Sequence, residues 1–400
     1  MRLFAGVTDA PRRWRQSIIK TFITVVVVVC CSLPAYAGYS GYRLFSLDHT
    51  KVGTADSTNF PVLLSGTFAE FATIANGGQV NNTVTCGIYS IACPADLIFT
   101  SDAFCQTPLA GWEFEQYTST TGQMIVWVIV PMLSHTVNTA VYACVGNSAV
   151  TTFQGGATGA AYDANTKAVY HLQAQNDSSS GAHDLTPINN PAQTTGQIYG
   201  AASFNGVNQT AEAPAFSWTG TSPVTVSFWN YMAPANVQVS FAFTVGNTAQ
   251  GNNARFTASV PWSDSVVYWD YGYGSNGNAG RVSTSYASYL GAWTYVTLVS
   301  TGSGGTFQAI YLNGTLATSA ATSVSSIVTG DLYIAAYPNA TFYGVPYEKG
   351  NIDEFRISNV VRSASWILAE YNNQLNPSTF ATTGAFVQIN AVTQSQGFVF

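Results

Sequence analysis

The sequence is short of charge. Only 8% of its 400 residues are Asp, Glu, Lys or Arg, against about 25% in ordinary soluble domains. The formal net charge is -6, and no cluster of Lys and Arg lies beyond the N-terminal segment. Because phosphate groups are bound by clustered basic side chains, the composition argues against a nucleic-acid partner. The surface must consist largely of Ser, Thr, Asn, Gln and Gly.

Catalytic motifs are also missing. Neither a G-x-S-x-G nucleophile elbow nor a phosphate-binding loop occurs, and the four histidines have no metal-ligand spacing. Glu113 and Glu115 are the nearest approach to a pair of catalytic carboxylates, and a polar face of one strand is the simpler interpretation of them. His171, in an apolar run, is interpreted as a hydrogen-bonded core residue. We therefore expect a protein that is not an enzyme.

Apolar and aromatic residues are abundant instead, at 47% and 14%, together with 35 glycines. This mixture favours strands and tight turns over helices. A chain of 400 residues exceeds what a single hydrophobic core usually organises. We predict an all-β protein of two domains behind a targeting segment.

The N-terminus has the three parts of a secretory signal peptide: basic residues, an apolar run at 22–33 and small residues ending at Ala37. We predict that residues 1–37 are removed after export by the general secretory route. A membrane anchor is the alternative, but the uncharged stretch after Lys20 has only about 13 residues, short of the roughly 20 that a spanning helix needs. The mature protein is expected outside the cell or at its surface, with no membrane span.

Four cysteines remain beyond the signal peptide: Cys86, Cys93, Cys105 and Cys144. An even number in an oxidising compartment predicts disulfides. Of the three possible pairings, Cys86 with Cys93 and Cys105 with Cys144 is the most local, but the sequence does not choose among them. Metal binding is the alternative, and these spacings match no zinc motif.

Short runs of alternating apolar residues, separated by turn residues, fill most of the remaining chain. Residues 124–130 are all apolar and predict a central strand covered on both faces. The pair Asn313-Gly314 is a strong hairpin signal and predicts antiparallel pairing.

A Gly- and Thr-rich stretch, residues 151–161, divides the chain into two regions. We predict two antiparallel β-sandwich domains of the jelly-roll kind in tandem, at residues 38–160 and 161–380. A C-terminal strand or tail follows at 381–400. One helix is expected, from Ser363 to Asn373.

Eight motifs in the second region stand in an order typical of one family: VYHL at 169–172, GAASFNG at 200–206, VSFW at 226–229, GAW at 291–293, YLNG at 311–314, GNIDEFRIS at 350–358, RS at 362–363 and AEY at 369–371. On these motifs the second region resembles the laminin-G-like, concanavalin A-like jelly roll of lectins and glucanases. The resemblance implies two packed sheets whose loops bind ligands.

The first region carries five further motifs: NFPVL at 59–63, DLIFTSD at 96–102, WEFE at 112–115, VWVIVP at 126–131 and GN at 146–147. It resembles an uncharacterised bacterial domain that commonly precedes laminin-G-like modules in surface proteins. No activity is established for that family, so the resemblance concerns domain organisation alone.

An aromatic and acidic stretch follows Pro261 and leads into a Gly/Asn loop. Sugar rings present C–H faces that pack on aromatic side chains, while their hydroxyl groups need carboxylates and amides. The alternative is that alternate residues line the opposite faces of one strand, one face belonging to the core. On the first interpretation the ligand-binding residues are Trp262, Asp264, Trp269, Asp270, Tyr271, Tyr273 and Asn276.

Asp353 has the strand parity of Phe355 and Ile357, which predicts a carboxylate pointing toward the core. A buried charge needs backbone donors, an arginine or a cation. The resemblance implies a structural calcium ion near this motif, for which Asp177 and Asp184 are the further candidate ligands. A hydrogen-bonded structural aspartate is the alternative.

Together these patterns predict a secreted or cell-surface protein, not catalytic, that recognises a glycan or another extracellular ligand, such as a surface protein, through loops of the second sandwich. The first alternative is a structural or adhesion component of the cell surface. The second is a carbohydrate-active hydrolase, which would need two carboxylates facing each other in a cleft.

Overall fold

The computed structural model of the chain describes residues 38–246, 255–272, 280–322, 327–337 and 346–389. The predicted signal peptide lies outside these residues. Among the residues described, no helix is both long and apolar enough to cross a bilayer. The strands of every sheet pair antiparallel, which confirms the prediction of an all-β fold.

Eight strands make up the first sandwich from the N-terminal side: β1 (Gly41–Leu47), β2 (Ser57–Thr67), β3 (Thr83–Cys86), β4 (Ile91–Pro94), β5 (Leu97–Thr100), β6 (Trp112–Thr118), β7 (Gln123–Leu133) and β8 (Thr139–Val145). A ninth strand, β24 (Ala381–Gln388), returns from the far end of the chain. The sheets have the orders β24-β1-β8-β5 and β2-β7-β6, with β3-β4 as a separate hairpin. The two larger sheets share one hydrophobic core.

The second sandwich contains the strands β9 (Thr166–Tyr170), β10 (Thr186–Ile188), β11 (Ala192–Thr195), β12 (Gly200–Ser203), β13 (Thr210–Gly220), β14 (Val224–Tyr231), β15 (Phe243–Gly246), β16 (Arg255–Ser259), β17 (Val266–Tyr271), β18 (Arg281–Ser285), β19 (Trp293–Ser300), β20 (Phe307–Leu312), β21 (Thr315–Ala321), β22 (Val328–Ile334) and β23 (Asn351–Ser358). One sheet has the order β10-β13-β22-β15-β16-β17-β18. The other has the order β11-β12-β23-β14-β19-β20-β21, and β9 also pairs with β23.

The core of the second sandwich lies between these two sheets and is rich in aromatic rings. Phe243 of one sheet packs on Phe355 of the other with ring centroids 5.4 Å apart. Phe355 in turn stacks on Phe228 at 5.4 Å. Burying such side chains is the main driving force for sheet-on-sheet packing.

Strand β7 is the middle strand of its sheet, and Met124–Val130 are all buried. One face of β7 packs into the core of the first sandwich. On the other face, Trp127 packs in a small hydrophobic cluster with Tyr162 and Val169 of the second region. The prediction of a central strand covered on both faces is therefore confirmed. We call this zone of contact between the two sandwiches the seam.

The predicted hairpin is present, since β20 and β21 pair antiparallel around Asn313 and Gly314. These two residues have φ of +51° and +73°, as a two-residue turn between the strands of a hairpin requires. Asn and Gly are the residues that adopt this conformation at the lowest cost.

Helix α1 (Ala364–Leu375) begins where the sequence predicts it. The Ser363 hydroxyl caps it by accepting a hydrogen bond from the backbone N–H of Trp366 at 3.1 Å. Trp366 packs on Phe60 of the first sandwich at 4.8 Å, and Tyr371 packs on Trp229 of the second at 5.8 Å. The helix therefore contacts both sandwiches, and a short helix, α2 (Pro377–Phe380), connects it to β24.

The four cysteines form two disulfides, Cys86–Cys93 and Cys105–Cys144. The first links β3 to β4 and the second links the loop after β5 to β8. Disulfides are thus confirmed, in the most local of the three pairings.

Candidate functional site

The aromatic residues predicted to bind a ligand are divided by strand alternation. Along β17, Trp269 and Tyr271 point into the sandwich and are fully buried, and Trp269 Nε1 donates to the carbonyl of Val299 at 3.0 Å. A side chain enclosed in the core cannot contact a ligand, so the ligand-binding role predicted for these two residues is corrected. Tyr273 and Asn276 lie outside the described residues.

Four side chains on the outer face of the same sheet form a connected group. Tyr268 donates its hydroxyl proton to Asp264 Oδ2 at 2.8 Å. Arg281 donates from Nε and Nη2 to the two oxygens of Asp270 at 2.6 and 2.7 Å, and its guanidinium lies 4.8 Å from the centroid of the Tyr268 ring. We call Asp264, Tyr268, Asp270 and Arg281 the sheet-face patch.

The patch is held in place from several sides. Asp264 Oδ1 also accepts from the backbone N–H of Val266 at 3.1 Å, which fixes the turn before β17. The hydrogen bond to Asp264 raises the pKa of Tyr268 above its ordinary value, so the phenol stays protonated and remains a donor. Trp262, from the same turn, is partly buried against Phe241 at 5.5 Å.

A row of polar side chains continues the face away from the patch. Asp270 stands opposite Thr257, Thr257 opposite Thr244, and Thr244 opposite Tyr333 on successive strands. The two threonine hydroxyls lie 2.9 Å apart and are buried, whereas Tyr333 is partly exposed. The two buried threonines thus separate the sheet-face patch from Tyr333 on the same face.

The predicted calcium ligand Asp177 is already saturated by hydrogen-bond donors. Its Oδ1 accepts from the N–H groups of Val169 and Ser179 at 3.0 and 2.9 Å, and its Oδ2 accepts from the Ser179 hydroxyl and the His183 N–H at 2.9 Å each. Asp184 Oδ1 accepts from the Asp177 N–H at 2.9 Å. These donors occupy the lone pairs that a cation would need.

Asp353 lies elsewhere. One oxygen accepts from the Ile198 N–H at 3.1 Å, and burial, followed by the charge of Glu354, raises its pKa well above the ordinary value. Within the described residues, Asp177, Asp184 and Asp353 do not come together as a set of ligands. Because calcium requires six to eight oxygen ligands, this trio does not fit a calcium site, and Asp177 and Asp184 are hydrogen-bonded structural aspartates.

The orientation of Asp353 also differs from the prediction. Strand β23 carries a bulge, since the register with β14 shifts between the pairs Asp353–Trp229 and Arg356–Ser227, and Glu354 has φ of +52°. The extra residue puts Asp353 and Arg356 on the outer face of the sheet, facing the seam. Parity counting fails here because a bulge inserts one residue into the alternation.

Glu113 lines a cavity of about 270 Å³ near the seam, together with Gly87, Ile88, Trp112, Phe153 and Gly156–Ala161. Its Oε1 accepts from the Ser178 hydroxyl at 2.8 Å, and burial raises its pKa to about 7. Within the part of the chain that the structure describes, it is the only acid on the cavity wall. The polar strand face that the sequence predicts for Glu113 and Glu115 is therefore turned inward.

Behind this cavity lies a group of fully buried charges, Glu115, His171, Glu354 and Arg356, which we call the seam cluster. His171 Nδ1 is 2.5 Å from Glu354 Oε1 and 3.6 Å from Glu115 Oε2. Arg356 donates to Glu354 Oε2 at 2.7 Å and to Glu370 Oε1 at 3.2 Å.

The pKa values of the cluster result from two opposing effects: burial favours the neutral form of each group, and the opposite charge of a neighbour favours the charged form. Burial lowers the pKa of His171, but the charges of Glu354 and Glu115 outweigh it and raise the pKa to about 9. Burial raises the pKa of Glu115 to about 7, because its pairing with His171 compensates only in part. For Glu354, His171 and Arg356 outweigh burial, and the pKa is lowered.

Residues 205–368 match the family model described as the concanavalin A-like lectin/glucanases superfamily. These residues form a concanavalin A-like domain. The sequence resemblance of the second region is thereby confirmed, while the one of the first region remains a prediction. No curated protein matches the chain.

Three solved structures are similar to about half of the chain. The binding domain of Paraclostridial Mosquitocidal Protein 1 aligns with 12% identity and a TM-score of 0.41, over 53% of each chain. Domain 4 of AbnA, an extracellular arabinanase from Geobacillus stearothermophilus in complex with arabinotriose, has 18% identity and a TM-score of 0.40, over 51% of this chain and 98% of that one.

The ligand-binding domain of botulinum neurotoxin serotype D, in complex with N-acetylneuraminic acid, aligns with 16% identity and a TM-score of 0.41, over 52% of this chain and 51% of that one. The alignments with this domain and the mosquitocidal protein thus span about half of those chains.

Arg281 and Glu354 are two of the side chains in the sheet-face patch and the seam cluster that were not predicted from the sequence. Arg281, in the sheet-face patch, gives no sequence signal, because its partner Asp270 is fixed only by the pairing of β17 with β18. Glu354 stands beside Asp353 in the DEF motif of the concanavalin A-like domain, but its direction depends on the bulge. The sequence offers one sign of this group, which is that the acids Asp353 and Glu354 stand side by side in a strand whose other residues are typical of a core.

Proposed function

We propose that this protein is an extracellular, non-catalytic binding protein whose concanavalin A-like domain recognises a saccharide at the sheet-face patch. The observation that carries the proposal is the arrangement around Tyr268. Its ring lies beside the guanidinium of Arg281, and its hydroxyl is fixed by Asp264. Arg281 and Asp264 are exposed, and Tyr268 is partly exposed.

Saccharide recognition needs an aromatic surface beside hydrogen-bonding groups of fixed orientation. The patch supplies the edge and exposed surface of Tyr268, the carboxylate of exposed Asp264 and the N–H groups of Arg281, which is 36% exposed. Because each group is already held by a neighbour, little side-chain entropy is lost on binding.

The chemistry available to the patch favours binding over hydrolysis. A glycoside hydrolase uses one carboxyl group as an acid and a second as a base or nucleophile. Both oxygens of Asp270 accept from Arg281 at 2.6 and 2.7 Å, which leaves Asp264 as the accessible carboxylate. The cavity beside Glu113 likewise offers one acid among the described residues.

Secretion fits the same proposal. The predicted signal peptide would carry the chain to an oxidising compartment, where disulfides such as Cys86–Cys93 and Cys105–Cys144 persist. Surface glycans, or glycans on surface proteins, are the ligands that such a location offers.

The test begins with the mature chain on a glycan array, in calcium and in EDTA. Hits are then titrated calorimetrically with wild type, Tyr268→Ala and the control Tyr333→Ala, which removes a tyrosine from the same sheet face at a distance from the patch. We expect Tyr268→Ala to weaken binding at least about tenfold, equal to about 1.4 kcal/mol, with Tyr333→Ala unchanged. The bound glycan should be recovered intact.

Three outcomes would contradict the proposal. Equal binding by Tyr268→Ala and wild type would remove the patch from the site. An array without hits, together with concentration-dependent self-association in gel filtration, would favour a structural or adhesion component. Cleavage of the glycan, lost in Glu113→Gln or Asp264→Asn, would establish a hydrolase.

A further inference from the structure

Within the seam cluster, three potential metal ligands converge from separate parts of the chain. Glu115 is on β6, His171 directly follows β9, and Glu354 is at the bulge of β23. One nitrogen and two carboxylate oxygens from these residues lie within 4.8 Å of one another, and all three side chains are buried. The group thus joins the first sandwich to the concanavalin A-like domain.

Each of the three side chains is oriented by a second residue behind it. Tyr162 contacts the other ring nitrogen of His171, with its hydroxyl 3.2 Å from Nε2. Trp127 donates from Nε1 to Glu115 Oε2 at 3.1 Å, and Arg356 donates to Glu354 Oε2, which leaves Glu354 Oε1 beside His171. Metal-binding histidines and carboxylates in proteins are typically fixed by outer hydrogen bonds of this kind.

Two oxygens in and beside the cluster are buried without a donor among the described residues. They are Glu115 Oε1 and Asp353 Oδ1. An unsatisfied buried acceptor costs about 1–3 kcal/mol, so a cation or a proton at either oxygen would be stabilising. Their presence is an observation independent of the convergence of the three ligands.

The charges around His171 point the same way. The acids Glu113, Glu115, Asp353 and Glu354 all act electrostatically within this group, against the guanidinium of Arg356 and, when it is protonated, His171. Arg356 is additionally shared with Glu370. Buried carboxylates in excess of cations require either protons or a metal ion for neutralisation.

We propose that Glu115, His171 and Glu354 bind one divalent transition-metal cation of the Zn²⁺ or Mn²⁺ type, through His171 Nδ1 and one oxygen of each carboxylate. A mixed nitrogen and oxygen ligand set suits these ions better than calcium, which takes oxygens alone. The cation connects the two sandwiches and has a structural role. This site is distinct from the sheet-face patch and does not depend on it.

The test uses the mature chain unfolded in guanidinium chloride and EDTA with its disulfides intact, because a fully buried site must be loaded during folding. Aliquots are refolded with Zn²⁺, Mn²⁺, Co²⁺ or EDTA, freed of excess metal by gel filtration, and measured for metal content and thermal unfolding. We expect wild type to retain about one equivalent of metal per chain and to unfold at a higher temperature than the EDTA sample. Co²⁺ should give visible absorption bands typical of nitrogen and oxygen ligation.

Variants identify the ligands. Glu115→Gln keeps an acceptor for Trp127 but removes the charge, and it should lose most of the metal. Glu348→Gln makes the same change at a fully buried acid bonded to Asn230 and Ser240 instead, and it should retain the metal. Unchanged metal content in Glu115→Gln would contradict the assignment.

If Glu115→Gln fails to fold, the measurements on wild type alone still test whether the chain binds a metal ion. Less than about a tenth of an equivalent of every ion, with identical unfolding temperatures in metal and in EDTA, would overturn the proposal. His171 would then hold a proton between its two carboxylates.

Discussion

The seam cluster and the sheet-face patch use the same contacts in different surroundings. In both, an arginine is paired with a carboxylate and lies over an aromatic ring: Arg356 is 4.1 Å from the Trp127 ring and 2.7 Å from Glu354, and Arg281 is 4.8 Å from the Tyr268 ring and 2.6 Å from Asp270. The side chain of Arg356 is 5% exposed and that of Arg281 is 36% exposed. Burial, not the type of contact, distinguishes the two regions.

This difference decides what each region can do. In the interior, a charge deprived of its partner has no water to replace it, so the loss of one member of the set is strongly destabilising. At the surface, water takes over the role of a lost partner, and the pair costs little to open. A ligand can exchange contacts with the second kind of group, but not with the first.

The largest effect is expected from Arg356→Met, which keeps the apolar length of the side chain and removes the guanidinium. Glu354 and Glu370 would lose their shared partner in a buried site, at a cost of about 3–5 kcal/mol in the free energy of unfolding. Guanidinium chloride denaturation of wild type and Arg356→Met, both in EDTA, measures this difference in the free energy of unfolding. A loss below about 1 kcal/mol would mean that the seam tolerates an unpaired charge as the surface does.

The control for this change is Arg43→Met. Arg43 is a partly buried arginine that pairs with Glu70 and lies 4.9 Å from the Phe68 ring, away from the seam. We expect a smaller loss, because water can reach this pair. Equal losses in both variants would remove the special status of the seam.

A second buried acid shows what happens without a cation. Glu348 is fully buried, with hydrogen bonds from Asn230 and Ser240, and burial raises its pKa to about 7, whereas Glu354, paired with His171 and Arg356, has a lowered pKa. An acid whose pKa is higher in the folded state than in the unfolded state stabilises the fold when it is protonated. This stability is fully present below the unfolded-state pKa and is lost as the pH rises toward the folded-state pKa of about 7.

Wild type should therefore lose about 3 kcal/mol of unfolding free energy through Glu348 between about pH 4.5 and pH 7, at about 1.4 kcal/mol per pKa unit. Glu348→Gln should lack this part of the pH dependence. The measurement is the difference between the two stability curves, which cancels the other titrating groups. Parallel curves would show that Glu348 is neutralised by other means.

The sequence predicts these regions to different degrees, for physical reasons. Strand alternation and Asn313-Gly314 are local signals, and the apolar run of β7 reveals a strand covered twice. The seam depends on Glu115 and Glu354, which are far apart in the chain and are brought together only by the packing of two sandwiches. The bulge at Glu354 reverses the parity on which the prediction for Asp353 rested.

The patch was predicted in part, because Asp264 and Asp270 belong to the acidic and aromatic stretch that first indicated a ligand site. The pattern could not tell which aromatic residues face outward. Strand parity alone leaves both choices open, and the burial of Trp269 and Tyr271 settles it in favour of Tyr268. A residue that the prediction passed over thus occupies the accessible face.

The smallest effect is expected from separating Arg281 and Asp270. A double-mutant cycle of Arg281→Met, Asp270→Asn and the combined change isolates their coupling from other losses, and we expect about 1 kcal/mol or less, because the arginine is partly exposed. The coupling should decrease further in high salt, since exposed charges are screened. Denaturation curves at low and high salt provide the values. A coupling as large as that expected at Arg356, or one that salt does not change, would mean that the patch is as closed to water as the seam, and the case for a ligand there would fail with it.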